Sequence, residues 1–240
     1  MTAPAEHAHR GIAATVTATE TLTKAVHELD DVAVRGPSLL PGWTRAHVIT
    51  HLARNADALL NLLIWARTGV EHPMYASRAD RDADIEEGSA RGYRLLVEDL
   101  SAACERFVRA AEKMPDSCWS AGLTTPSGAA MLASRVPWLR MREVWVHLVD
   151  LDIGLGFEAV ADDAIEPLLD DVTQTFGGRP DVPALTVDAT LPDGRRRSWH
   201  LSGDGGPTIG GSGAVLLAWL TGRSDGAGLS GSPPALPPWA

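Results

Sequence analysis

The apolar residues of this chain keep two different periods, and the change of period near Gly156 limits what it can fold into more than any other feature. Over residues 4–31, Ile12, Val16, Leu22, Val26 and Leu29 recur among polar positions at roughly helical spacing, which predicts an amphipathic helix. Gly36-Pro-Ser-Leu-Leu-Pro-Gly42 separates it from a second helix, for which Thr44 is the N-cap ahead of Arg45-Ala-His-Val-Ile-Thr-His-Leu-Ala and a run to Trp65. Residues 80–114 alternate charges with Ile85, Leu95, Leu96, Leu100 and Phe107, a third helical region with a break near Gly88 or Gly92. Residues 131–154 give a fourth, with Pro137 in its first turn or at a kink. Four long helices joined by loops predict a bundle whose functional groups project inward.

Beyond Gly156 the pattern is mixed. A short helical stretch over residues 162–176 gives way to Gly177-Gly-Arg-Pro, and Ala184-Leu-Thr-Val-Asp-Ala-Thr-Leu then alternates as a strand. Pro192-Asp-Gly194 reads as a hairpin turn with Ser198-Trp-His-Leu returning. The glycines of residues 203–213 read as turns, because Pro207 and the lack of a G-x-G-x-x-G register oppose a dinucleotide loop. Ala214-Val-Leu-Leu-Ala-Trp-Leu-Thr-Gly222 reads as a closing helix before a Gly/Pro-rich tail over residues 228–238. The expected fold class is therefore α+β: a four-helix bundle over residues 1–157 and a small α+β domain over residues 158–240.

Composition excludes several classes of function. A formal charge of −10, from 21 Lys and Arg against 31 Asp and Glu, repels a polyanionic backbone and predicts no nucleic-acid partner. The one basic run, Arg195 to Arg197, follows the Pro-Asp-Gly turn and reads as a solvated strand end. No apolar run approaches the ~20 residues that span a bilayer, and the N-terminus lacks a basic-then-apolar leader pattern, so a soluble cytoplasmic protein with no membrane partner is expected. Cys104 and Cys118 show neither metal-knuckle spacing nor disulfide density and read as packing residues.

Two pairs of residues could carry chemistry. His47 and His51 are four apart on the second helix, and Glu143 and His147 repeat that spacing on the fourth, so each pair lies on one helical face. The two pairs could meet across the bundle core at the ~2 Å ligand distances of zinc. Their neighbours Val48, Leu52, Val144, Trp145 and Val146 are apolar, and a carboxylate such as Glu143 buried among them calls for a cation. A zincin peptidase is not expected, since His47 is followed by Val48 and not by the glutamate of HExxH. Three protein ligands would leave the open position typical of catalytic zinc, while a fourth from His47 would close the site as a structural one.

Three segments carry a resemblance: Leu40-Pro-Gly-Trp-Thr-Arg-Ala-His-Val-Ile-Thr-His-Leu-Ala-Arg-Asn55, His72-Pro-Met-Tyr-Ala-Ser77 and Arg142-Glu-Val-Trp-Val-His-Leu-Val-Asp-Leu151. They resemble the mycothiol-dependent maleylpyruvate isomerase family. Leu220-Thr-Gly-Arg-Ser-Asp-Gly226 and the tail with Trp239 are similar to its second domain, so the likeness runs from about residue 36 to the C-terminus. The resemblance implies a DinB-like bundle joined to a domain like the sterol carrier proteins, with zinc and mycothiol as cofactors. It implies His51, Glu143 and His147 as the zinc ligands, His47 and Arg81 as residues beside the cofactor, and Arg223 as the arginine that clamps a substrate carboxylate.

The implied reaction converts maleylpyruvate to fumarylpyruvate. Reversible addition of a thiolate turns a cis double bond into a single bond that rotates, and zinc supplies the thiolate by deprotonating the thiol. A small dicarboxylate and a low-molecular-weight thiol are then the partners of a monomer. Two rivals stand beside this reading: a mycothiol S-transferase that keeps the thiol adduct, and a non-catalytic protein binding zinc and an apolar ligand.

Overall fold

The computed structural model describes residues 2–125, 128–203 and 205–239, and the chain falls into two compact units, Met1–Ile153 and Gly154–Ala240. The first is built on α1 (Ala3–His27), α2 (Arg45–Thr68), α3 (Arg78–Ser89), α4 (Tyr93–Glu112) and α5 (Val136–Asp150), with a small hairpin of β1 (Gly122–Thr124) and β2 (Ala130–Leu132) before α5. α2 lies at the centre, packed against α3, α4 and α5, while α1 covers α4 and α5. The core between them holds Leu52, Leu59 and Leu62 of α2, Leu100 and Phe107 of α4, and Val144, Trp145 and Leu148 of α5, all at most 1% exposed.

Local chemistry sets the helix ends. Thr44 has the extended backbone of an N-cap, and Gly69 ends α2 in the left-handed region at φ 71°, where a Cβ would be strained. The third helical region divides as the glycines suggested: α3 stops at Ser89 and Gly92 caps α4. Pro137 sits in the first turn of α5, where its missing N–H costs nothing. Here the structure corrects the reading of one helix over residues 131–154. Residues 130–132 pair with 122–124 as a hairpin, and the helix begins only at Val136.

The second unit carries α6 (Asp162–Phe176), β3 (Leu185–Thr190), β4 (Arg196–Leu201), β5 (Thr208–Ser212) and α7 (Gly213–Leu220). Its three strands run in the order β4-β3-β5, with β3 antiparallel to β4 and parallel to β5. Leu185, Val187 and Ala189 alternate inward from β3, and α6 and α7 pack with the sheet. The glycine-rich segment read as turns contains β5 instead. Its glycines leave room for the tail: a Cβ on Gly210 would lie 2.8 Å from Ser230 Oγ, and one on Gly211 2.5 Å from Leu229 Cδ2. Arg195, Arg196 and Arg197 are engaged by carboxylates, Arg195 and Arg197 with Glu166 and Arg196 with Asp188. Among the described residues no helix is long and apolar enough to cross a membrane.

Candidate metal centre

The start of α2 is tied down by a histidine. Thr44 donates its backbone N–H to His47 Nδ1 at 3.2 Å, with Thr44 Oγ1 2.8 Å from the same nitrogen, so a histidine fills the place that glutamate or glutamine usually holds in a capping box. His47 Nε2 lies 3.2 Å from Ser89 Oγ and 3.3 Å from Glu86 Oε2. Nδ1 therefore caps the first turn of α2 and Nε2 joins it to the last turn of α3.

One turn further, His51 is 4% exposed and points to α5. Its Nε2 is 3.1 Å from His147 Nε2 and 3.2 Å from Glu143 Oε2, and the third edge, His147 Nε2 to Glu143 Oε2, measures 3.6 Å. The i,i+4 spacing on α5 and the packing of α2 against it produce this triangle, and the three side chains form a group that could hold a metal ion. The fit can be judged from the donor atoms alone: ligands about 2.0–2.1 Å from a tetrahedral zinc stand roughly 3.3 Å from one another, within the spread of the three edges. Two imidazoles and one carboxylate also suit this borderline-soft ion.

The surroundings prepare the donors. Asp150, fully buried one turn beyond His147, brings Oδ2 to 2.8 Å from His147 Nδ1 and orients the ring so that Nε2 faces the triangle. Glu143 Oε1 accepts from Arg142 Nη2 at 3.2 Å. Arg81, from α3, places Nη2 3.2 Å from His51 Nδ1. The Tyr75 ring lies 5.9 Å from the Arg81 guanidinium, and Trp43 covers the histidines, its ring 6.1 Å from His47 and 5.8 Å from His51.

Electrostatics sort the three donors. Burial pushes the His51 imidazole down to about 4, against the pull of the Glu143 hydrogen bond, so it is neutral near pH 7. Burial also acts to raise Glu143, but hydrogen bonds from His147 and His51 and the charge of Arg142 outweigh it and hold the carboxyl well below its usual range. For His147 burial acts downward, and the hydrogen bonds to Asp150 and Glu143 win, leaving the imidazole raised. Burial pushes the Tyr75 phenol up, keeping it neutral.

Deeper in the bundle, Arg140 is fully buried one turn before Glu143 and donates to Leu52 O and Asn55 Oδ1, each at 2.8 Å, and to Cys104 Sγ at 3.2 Å. Arg223 belongs to the second unit. It follows Gly222, which ends the α7 segment at φ 75°, donates to Thr221 O, and lies over the Trp239 ring at 6.0 Å. Sequence reasoning assigned no role to Asp150, Trp43 or Tyr75. The signal for Asp150 was present, because a carboxylate three residues after a helical histidine lies over the same face.

Fold and site together define a class: a two-unit α+β protein with a metal-competent His-Glu-His cluster between two helices of its bundle. Residues 16–152 match the family described as "Mycothiol maleylpyruvate isomerase N-terminal domain", and residues 159–238 match its companion, "MDMPI C-terminal domain". The chain belongs to the mycothiol maleylpyruvate isomerase family. Among solved structures it is similar to a crystal structure of the mycothiol-dependent maleylpyruvate isomerase and to one of a histidine-to-alanine mutant of that enzyme. Each match is 29% identical over 97% of both chains, with a TM-score of 0.86. No curated protein matches the chain.

Proposed function

We propose that this chain is a mycothiol-dependent cis–trans isomerase that converts maleylpyruvate to fumarylpyruvate, with His51, Glu143 and His147 as zinc ligands and Arg223 as the clamp for a substrate carboxylate. The observation that carries the reading is the triangle of donor atoms with edges of 3.1, 3.2 and 3.6 Å. Family membership and the likeness to solved isomerases support the choice of reaction. Zinc and mycothiol, when bound, supply an ionised sulfur that adds reversibly to the double bond and so lets it rotate.

The protein's own part is to hold charges and protons in place. Asp150 accepts from His147 Nδ1 and orients that ring, and burial keeps the His51 imidazole neutral near pH 7. Glu143 is ionised under the same conditions and offsets part of a dication's charge. Trp43 shields the histidine rings from solvent on its side. Arg223 would offer a carboxylate two parallel N–H groups, which a lysine cannot do. His47 and Arg81 stand beside the centre and are not assigned as ligands. The reading takes the protein to be a cytoplasmic monomer acting on a small dicarboxylate.

The test is to incubate zinc-loaded protein with maleylpyruvate, with and without mycothiol, and to follow fumarylpyruvate. Product formation only with both zinc and thiol is expected, whereas full activity in metal-free protein would sink the proposal. A stable thioether adduct in place of fumarylpyruvate would move the assignment to an S-transferase. His51→Ala should abolish both bound zinc and turnover, and Arg223→Ala should keep the zinc and lose turnover.

A further inference from the structure

We propose that Arg140 is a positioning residue of the metal centre: it fixes the spacing of α2 and α5 that lets His51 meet Glu143 and His147. This rests on the ligand set proposed above. Arg140 is fully buried, and the groups that accept from it are Leu52 O and Asn55 Oδ1 at 2.8 Å each and Cys104 Sγ at 3.2 Å, with no carboxylate among them. A cation buried without a counter-charge adds little to stability, and an apolar side chain of similar volume often serves the fold as well or better. The fold alone therefore does not account for an arginine at this position.

Its place in the bundle does. On α5, Arg140, Glu143 and His147 follow one another at i, i+3 and i+7 and share one helical face. On α2, Leu52 is the residue after His51 and Asn55 lies one turn beyond it. Arg140 thus bridges α5 to α2 one turn away from the triangle, and its Nη2 reaches α4 at Cys104. Of the three proposed ligands His51 alone comes from α2, so the edges of 3.1 and 3.2 Å depend on how α2 stands against α5. The apolar contacts of Leu52, Val144 and Leu148 hold the two helices together without direction. A guanidinium is a planar fork with fixed N–H directions, and Leu52 O is a backbone atom that moves only with its helix. Such a tie can hold ligands to the roughly 0.5 Å that a metal site requires.

The charge of Arg140 opposes a divalent ion, so charge and positioning act with opposite signs. Arg140→Met should tighten zinc binding if the charge alone matters, and should weaken it about tenfold if the tie to α2 matters. Chelator competition reads the difference without using activity. Cobalt(II) in place of zinc should show visible bands shifted in position and intensity in Arg140→Met, a change that a residue serving only stability would not produce. The double variant Arg140→Met/Asn55→Leu removes the acceptor left behind at Asn55 and carries the test if the single variant does not fold. Urea unfolding should rank the double variant above the single one, while zinc affinity stays low in both. Wild-type or tighter zinc binding, or an unmoved cobalt spectrum, in either folded variant would overturn the positioning role. Zinc affinity regained together with stability in the double variant would overturn it as well. Wild-type protein that binds no zinc, or His51→Ala that binds it as well as wild type, would overturn the ligand set and this inference with it.

Discussion

Replacing Asp150 with asparagine asks whether His147 is held in its ligating form by a neighbour or adopts it unaided. The carboxylate is fully buried and 2.8 Å from Nδ1, so it fixes both the ring orientation and the tautomer. Asp150→Asn should therefore weaken zinc binding about 10- to 100-fold, read by chelator competition, while far-UV circular dichroism stays unchanged. His51 gives a second prediction at the same scale. Its pKa is about 4 in the metal-free fold against 6.5 in the unfolded chain, so between those values the unfolded chain binds the extra proton. The stability His51 contributes is present above pH 6.5 and lost as pH falls toward 4, on the order of 3 kcal/mol in all. His147, raised, acts in the other window: its contribution is present below 6.5 and is lost as pH rises through its folded value. Urea unfolding with chelator at pH 7 and pH 4.5 should show a smaller acid loss in His51→Gln than in wild type, and an equal loss would contradict a buried neutral His51. The i,i+4 spacing, which survives any packing of the helices, made the pairs His47/His51 and Glu143/His147 legible in sequence, while the choice of three ligands among them came from the family resemblance. The use of His47 was not legible, since a histidine at the third position of a helix reads equally as a cap, a ligand or a surface residue until its partners Thr44, Glu86 and Ser89 are known.

Among the elements, α3 is the one that burial alone does least to hold. Only Ile85, Gly88 and Ser89 of its twelve residues are buried, and its charged face is open to solvent, yet it carries Arg81 to the centre. Its last turn is fixed by polar contacts: Arg35 donates to the carbonyls of Ser89, Ala90 and Arg91, and His47 meets Glu86 and Ser89. Close approach to α2 does the rest, since a Cβ on Gly88 would collide with Thr50 Cγ2. Gly88→Ala should accordingly cost about 1–3 kcal/mol in urea unfolding. Adding Thr50→Ala should recover most of it, because the Thr50 hydroxyl is buried without a hydrogen-bond partner and the clash lies at its methyl. If the double variant were no more stable than Gly88→Ala, the packing of α3 on α2 would not be what the glycine serves. The elements that sequence missed failed for related reasons. β5 has glycines at 210 and 211, which carry no strand propensity and are there for the tail segment at Leu229 and Ser230. The β1–β2 hairpin is three residues a side, too short for alternation to stand out from the helical pattern that follows at Val136.

At the scale of the whole molecule, the two units were visible as two periodicities because each keeps its own core, the first from helix faces and the second from the inward side of β3 with α6 and α7. The proposed ligands all lie in the first unit, within Met1–Ile153, and Arg223 lies in the second. Zinc that binds the folded first unit and not its unfolded chain must stabilise that unit by mass action, by roughly 2.7 kcal/mol at a hundred times the dissociation constant. For a unit of about 150 residues this corresponds to a rise in Tm of about 5–10 °C. Calorimetry of wild-type protein with zinc should show that rise, and chelator should remove it. The same scans on His51→Ala should show no zinc-dependent shift, while Arg223→Ala should shift as wild type does. A variant in the second unit that lost the shift would mean that the metal depends on residues outside the first unit, and the assignment of the centre to His51, Glu143 and His147 alone would fail.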